Sequence, residues 1–255
     1  YGNNDVEGPG ALHGTHVAGI IGAIRGNGLG GDGVAENVKI MSLRAVPNGD
    51  EFDKDIALAV RYAVDNGAMV INMSFGKAYS PHQKEVYEAF KYADSKGVLL
   101  IHAAGNDAKD IDVEPNYPTS MYSFQTEALD HFVTIGASTK NEGSEMVASF
   151  SNYGAKGVDV FAPGFEIYNT VQVKDGVKYD NLQGTSMAAP HVSGAIALLK
   201  QKWPNLTGAQ LVNLLINNAT DLGASGVDEV YGVGLLNLQG SMSASGALQI
   251  SYIDD

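Results

Sequence analysis

Apolar positions along this chain alternate between a helical and a strand period. Val17, Ala18, Ile20, Ile21 and Ile24 form a helical stripe after Leu12, and Val38 to Val46 reads as an apolar strand. Ile56, Val60, Ala63 and Val64 follow the i, i+4, i+7, i+8 rule, with Asp53 and Asp55 in the first turn and Gly67 just past the end. Ala68 to Met73 is a continuous apolar run, the pattern of a strand buried on both faces. Ser80-Pro81 is a helix-start signal, and Val86, Ala89, Phe90 and Ala93 carry that helix to Gly97. Val98 to Ala104 is another buried strand. Such alternation predicts parallel strands joined by helical crossovers, an α/β fold.

Further along, Phe132 to Ala137 and Val158 to Ala162 read as strands, and Val171 to Tyr179 as a hairpin turning at Asp175-Gly176. A helix is expected from about Ser186 to Lys202. Another starts at Thr207, where Thr207 and Gln210 form a capping-box pattern ahead of Leu211, Leu214 and Leu215. With no internal repeat and no linker, residues 1–240 read as one domain, and 241–255 as a small appended edge.

Composition narrows the function classes. Of 255 residues, 44% are hydrophobic and 18% charged, enough apolar material for a large core and too much for a disordered chain. Lys and Arg number 16 against 29 Asp and Glu, a net charge of −13, which would repel nucleic acid. No apolar run approaches 18 residues, so no membrane span is predicted. The absence of cysteine excludes disulfides, thiolate metal sites and a cysteine nucleophile. Tyr1 carries no signal-peptide pattern and is not a Met, which leads us to expect the interior of a longer product.

Individual motifs are weak on their own. Gly26 to Gly31 satisfies G-x-G-x-x-G, but a dinucleotide site needs a strand before it and a helix after it, and here the order is reversed. His13 and His16 are three apart on a helix, without the carboxylate of H-E-x-x-H. Ser186 in Gly184-Thr185-Ser186-Met187-Ala188 is not a G-x-S-x-G nucleophile elbow. His16, His191 and His102 are expected to be packed or hydrogen-bonded histidines.

The combination carries more. His-Gly-Thr-His-Val-Ala-Gly (13–19), Ala-Ala-Gly-Asn (103–106) and Gly-Thr-Ser-Met-Ala-Ala-Pro-His-Val (184–192) occur in that order. Supporting matches are Val70 to Gly76, Ser149 to Asn152 and Phe161 to Gly164. Over roughly residues 11–240 the chain resembles the subtilisin-like serine proteases, the subtilases. The resemblance implies a three-layer α/β fold, with a mostly parallel central sheet and helices on both faces. It implies an endopeptidase in which Ser186 attacks the peptide carbonyl, His13 accepts its proton, and Asn106 stabilises the oxyanion. Ser74, Phe75 and Gly76 on one side, and Ala103, Ala104 and Gly105 on the other, would wall the specificity pocket. Asn116 would lie at its base, beside a cis Tyr117-Pro118 bond.

Further expectations follow from the resemblance: an extended protein or peptide as substrate, a monomer, and a secreted or cell-envelope location. No cofactor is required for the chemistry, while structural calcium, common among subtilases, is open. The loop between Arg25 and Val34 offers only Asn27 and Asp32 as side-chain oxygen donors, and Asp107, Asp110, Asp112 and Glu114 form a second acidic cluster. The triad's aspartate precedes the histidine in this family, on an apolar strand. Only 12 residues precede His13, without such a strand, so a further N-terminal segment bearing that aspartate is expected. Two alternatives stay open: an inactive subtilase-like domain that binds peptides, and acyl transfer to another acceptor such as an amine.

Overall fold

The computed structural model describes residues 6, 10–223, 225–228 and 230–244. A parallel sheet at the centre is built from β1 (Val70–Met73), β2 (Leu99–Ala103), β3 (Phe132–Ser138) and β4 (Val160–Pro163), in that spatial order. Helices α2 (Asp53–Asp65) and α3 (Gln83–Ser95) cover one face. Their apolar stripes, Ile56, Ala57, Val60 and Val86, Ala89, Phe90, Ala93, meet Leu100 and Phe132 of the sheet. The other face carries α4 (Thr185–Lys202) and α5 (Gly208–Asn217) over Leu99, Ile101, Val133 and Ile135. The result is the expected three-layer arrangement.

Helix α4 is apolar nearly all round because it is buried nearly all round, under the sheet, α1 (Leu12–Gly22), α5 and α6 (Leu238–Ser243). The capping box at α5 forms in full: Thr207 Oγ1 accepts from Gln210 N and Gln210 Oε1 from Thr207 N. Strands β5 (Ile167–Lys174) and β6 (Val177–Leu182) make the expected hairpin, and Asp175 and Gly176 both take positive φ, as a type I′ turn demands.

Three expectations are corrected. Val38 to Val46 forms no strand; it has no ladder partner among the described residues, and Ile40 and Met41 remain exposed. Apolar pattern alone cannot make a strand without a neighbour to hydrogen-bond. Strand β1 is not buried on both faces: of its residues only Met73 is buried, and among the described residues β1 pairs with β2 alone. Helix α3 starts after His82 rather than at Pro81, since Asp53 Oδ2 accepts from His82 N and holds the chain in a turn. At the opposite edge, β4 is covered by residues 233–236, with Phe161 N donating to Gly234 O and Leu236 N to Phe161 O. Of the proposed appended edge, 241–243 belong to α6, and 245–255 lie outside the described residues.

A buried ion pair ties α2 to the loop after β1. Lys77 Nζ lies 2.6 Å from Asp53 Oδ1, both side chains almost wholly buried, and Lys77 Nζ also donates to Glu51 O. Ser80 Oγ donates to the other Asp53 oxygen.

Candidate active site

Residue 186 sits in the first turn of α4, at the carboxyl ends of the parallel strands. Gly184 begins the helix at φ 145°, a conformation a side chain would strain. The Ser186 N–H, in the first turn, has no intrahelical acceptor and is available to an anion at the positive end of the helix dipole. Pro190 lies four residues on and lacks the N–H that would normally bond to Ser186 O. Ser74 Oγ supplies a donor to that carbonyl instead, at 2.8 Å. In return Ser186 Oγ donates to Ser74 O at 3.3 Å.

Ser74 is itself held by Asn72 Nδ2 at 2.9 Å, and Asn72 Oδ1 accepts from Ser193 Oγ on α4. The strand end and the helix bearing Ser186 are therefore stitched together by side chains at β1 and α4.

Asn106 is exposed, and its carboxamide orientation is determined. Its Oδ1 accepts from Thr185 N at 2.8 Å and from Thr185 Oγ1 at 3.1 Å. A backbone N–H can only donate, so the oxygen must face Thr185 and the Nδ2 donors face away from it. Thr185 Oγ1 also accepts from Gly105 N, and the residue is fully buried.

Asn152 was not singled out as a site residue, although it closes the Ser-Phe-Ser-Asn match. It is buried, its Oδ1 accepts from Asp107 N and Lys109 N at 3.0 Å each, and its Nδ2 donates to Ala104 O at 2.8 Å. Its own N–H donates to Gly105 O. One side chain thus braces the loop that presents Asn106 from both sides. Thr185 and Asn152 lie 79 and 46 residues from Asn106 in the sequence, so spacing carried no signal of the contact.

The expected pocket residues come together. Asn116 Nδ2 donates to Ala104 O at 3.0 Å, and a Cβ on Gly76 or Gly105 would meet that same amide at 2.7 and 3.2 Å. Asn116 therefore lies between the Ser74-Phe75-Gly76 and Ala103-Ala104-Gly105 walls. The Tyr117-Pro118 bond is cis, as expected, and Lys77 and Tyr117 exchange backbone hydrogen bonds.

His13 lies near the start of α1, which packs on α4 and β5; Thr170 Oγ1 donates to Thr15 O. Desolvation lowers the His13 pKa from its usual 6.5, and the neighbouring His16 adds to the shift. The shift favours the neutral ring, the form a base needs. Among the described residues it has no hydrogen-bond partner, neither Ser186 nor a carboxylate. His16 is buried and its Nε2 donates to Ile167 O; His191 Nδ1 donates to Met187 O; both are packing histidines, as expected.

Metal ligation is not favoured by the candidate oxygens. Asp32 Oδ1 accepts from Gly26 N and Asn27 Oδ1 from Leu29 N, closing the loop on itself. Asp112 accepts from Lys156 N and Gly157 N, Asp110 from Asp112 N, and Glu114 pairs with Lys109. These oxygens are bonded to protein donors. No group of three or more His, Cys, Asp or Glu is placed to hold a metal among the described residues. Nor is any described helix long and apolar enough to cross a membrane.

Comparison with known proteins follows the same lines. Residues 1–234 match the model of the Subtilase family. The chain is 38% identical over 230 residues to Subtilisin Savinase of Lederbergia lenta, covering 89% of this chain and 76% of that one. It is 39% identical over 230 residues to an alkaline protease of Alkalihalobacillus alcalophilus, covering 89% and 54%. The crystal structure of fervidolysin from Fervidobacterium pennivorans, titled a keratinolytic enzyme related to subtilisin, superposes with a TM-score of 0.75 at 34% identity, over 92% of this chain and 36% of that one. The chain thus spans about half the length of the alkaline protease and about a third of fervidolysin. Sequence and fold agree, and the chain belongs to the subtilase family.

Proposed function

We propose that this domain is a serine endopeptidase acting on protein or peptide segments in extended conformation. The observation that supports it most is the Asn106 carboxamide, locked by Thr185 so that its N–H donors, unpaired among the described residues, lie beside the N-terminus of the helix bearing Ser186. Ser186 Oγ attacks the scissile carbonyl while its proton passes to His13. The carbonyl oxygen, now an anion, accepts from Asn106 Nδ2 and Ser186 N–H. The intermediate collapses as His13 returns the proton to the leaving amine, leaving an acyl group on Ser186. Water, deprotonated by His13, then releases the acid.

Substrate pairs as an added strand along Ser74 to Gly76, with its side chain at the scissile bond over Asn116. In this reading the carboxylate that orients His13 comes from a further strand, for which the edge of β1, unpaired among the described residues, and the exposed apolar stretch around Ile40 and Met41 offer a seat. A monomer, secreted or held at the cell envelope, is the setting that family membership suggests. Intact mass of the purified protein tests the further strand: a mass above 26.8 kDa, or a bound second fragment, is expected.

A second reading, a peptide-binding domain without catalysis, is favoured by one feature: Ser186 Oγ is bonded to Ser74 O and His13 has no partner among the described residues. A serine-directed phosphonate separates the two. Stoichiometric labelling of Ser186 that is lost in Ser186→Ala supports the enzyme; no labelling of a folded, full-length sample supports the binder.

A further inference from the structure

Strand β2 reads Leu99, Leu100, Ile101, His102, Ala103 and is buried throughout. An aliphatic residue at 102 would satisfy that environment. The imidazole instead lies 1% exposed on the α2/α3 face of the sheet, its ring centroid 5.7 Å from that of Phe132. Its Nε2 is 2.9 Å from Phe75 O. A carbonyl only accepts, so Nε2 carries the hydrogen and Nδ1 is a bare acceptor. Among the described residues Nδ1 has no partner, and it is shut off from solvent. The polar ring thus leaves an orphan nitrogen, and what it contributes is one donor, aimed at Phe75.

Phe75 stands in the stretch where substrate is read to pair. Backbone groups of an extended chain alternate in direction. Ser74 O faces Ser186, and Lys77 N and O are bonded to Tyr117 O and N. Phe75 and Lys77 therefore turn their polar groups inward, to His102 and Tyr117, while Ser74 and Gly76 turn theirs toward the cleft. No hydrogen bond to the Gly76 N–H or C=O exists among the described residues, and Gly76 is exposed. His102 and Tyr117 hold the back of an edge whose front is open.

We infer that His102 is a positioning residue for substrate, fixing the register and direction of Ser74-Phe75-Gly76 through its hydrogen bond to Phe75 O. The inference rests on reading that stretch as the substrate-docking edge, but not on Ser186 being an active nucleophile. Without the donor, Phe75 O would turn to find another, and the adjoining Gly76 groups would turn with it. Longer peptides, which use more of the edge, lose more than short ones.

The test measures Kd, by calorimetry, for a six-residue peptide whose scissile amide is reduced to –CH2–NH–, so that catalysis plays no part. A two-residue peptide with the same reduced bond serves as the short probe. The proteins are the full chain, His102→Gln, which keeps a donor at similar reach, and His102→Asn, whose donor is too short. His102→Asn should weaken the six-residue peptide about tenfold, weaken the short peptide less than about twofold, and leave His102→Gln within about threefold of the parent. Equal weakening of both peptides, no weakening in His102→Asn, or no binding of the long peptide by the parent overturns the inference. If His102→Asn does not fold, as judged by far-ultraviolet circular dichroism, His102→Gln decides alone: tenfold weakening there overturns it, and retention supports it. Phosphonate labelling of Ser186 in the same samples reports separately on the enzyme reading.

Discussion

Ser74 and Ser186 exchange hydrogen bonds, Ser74 Oγ donating to Ser186 O and Ser186 Oγ donating to Ser74 O. The exchange exists because Pro190 withholds the N–H that would otherwise occupy Ser186 O. Ser74→Ala leaves that half-buried carbonyl without its donor. A stability loss of about 1–2 kcal/mol is expected in urea unfolding. Unchanged stability would show that water replaces the hydroxyl.

Asn106→Leu should lower kcat by about 10²–10³-fold with little change in KM, since its hydrogen bonds form chiefly in the transition state. Asn152 acts on the same step through the loop it braces, so Asn152→Ser should also lower kcat. The two effects should not add: in an Asn106→Leu background, Asn152→Ser should change kcat less than about threefold. Full additivity would make Asn152 a structural residue with no link to the oxyanion donor.

Gly194 lets α4 approach the segment bonded to the end of α1. A Cβ there would lie 2.6 Å from Val34 Cβ, and Val34 N is bonded to Ile20 O at the end of α1. Gly194→Ala must therefore push Val34, and α1 with it. We expect a loss of about 1–3 kcal/mol in stability and a fall in kcat/KM of more than about tenfold as His13 moves relative to Ser186. A variant with lower stability and normal kcat/KM would show that the two helices move together.

Acid should destabilise the fold through His102. Burial lowers its pKa from 6.5 to about 4, against the weaker pull of the Phe75 hydrogen bond. A histidine with a depressed folded-state pKa binds its proton more readily when unfolded. Stability is thus fully present above about pH 6.5 and is lost as pH falls toward about 4, by about 3 kcal/mol over that window. Asp159 opposes this. Burial raises its carboxyl to about 6, so its contribution is greatest at low pH and declines as pH rises from about 4 to about 6. In urea unfolding, the stability at pH 7 minus that at pH 4.5 should fall in His102→Gln relative to the parent, to the point that the variant is more stable at pH 4.5, and should rise in Asp159→Asn. The reverse order would place the acid sensitivity elsewhere.

Much of this was legible in the residues. The period of the apolar positions located α2, α3, α4, α5 and the strands β2 to β4 within a few residues, because each buries a face that must be apolar at that spacing. Asp175-Gly176 defined its own turn and Thr207 with Gln210 its own cap, both being short-range interactions. Three ordered motifs also pointed to His13, Asn106 and Ser186, the residues proposed for catalysis.

What the residues alone did not settle depends on partners distant in the chain. Val38 to Val46 has the composition of a strand, but a strand is a pairing, and no described neighbour pairs with it. The direction of the Asn106 amide is set by Thr185, its brace is Asn152, and the donor to Ser186 O comes from Ser74, 112 residues away. The sequence marks His102 as a packed or hydrogen-bonded histidine; that its partner is Phe75 O follows only from the fold. Local pattern determines which faces are buried; only the tertiary structure decides which polar groups meet once they are, because those hydrogen bonds join residues that no periodicity links.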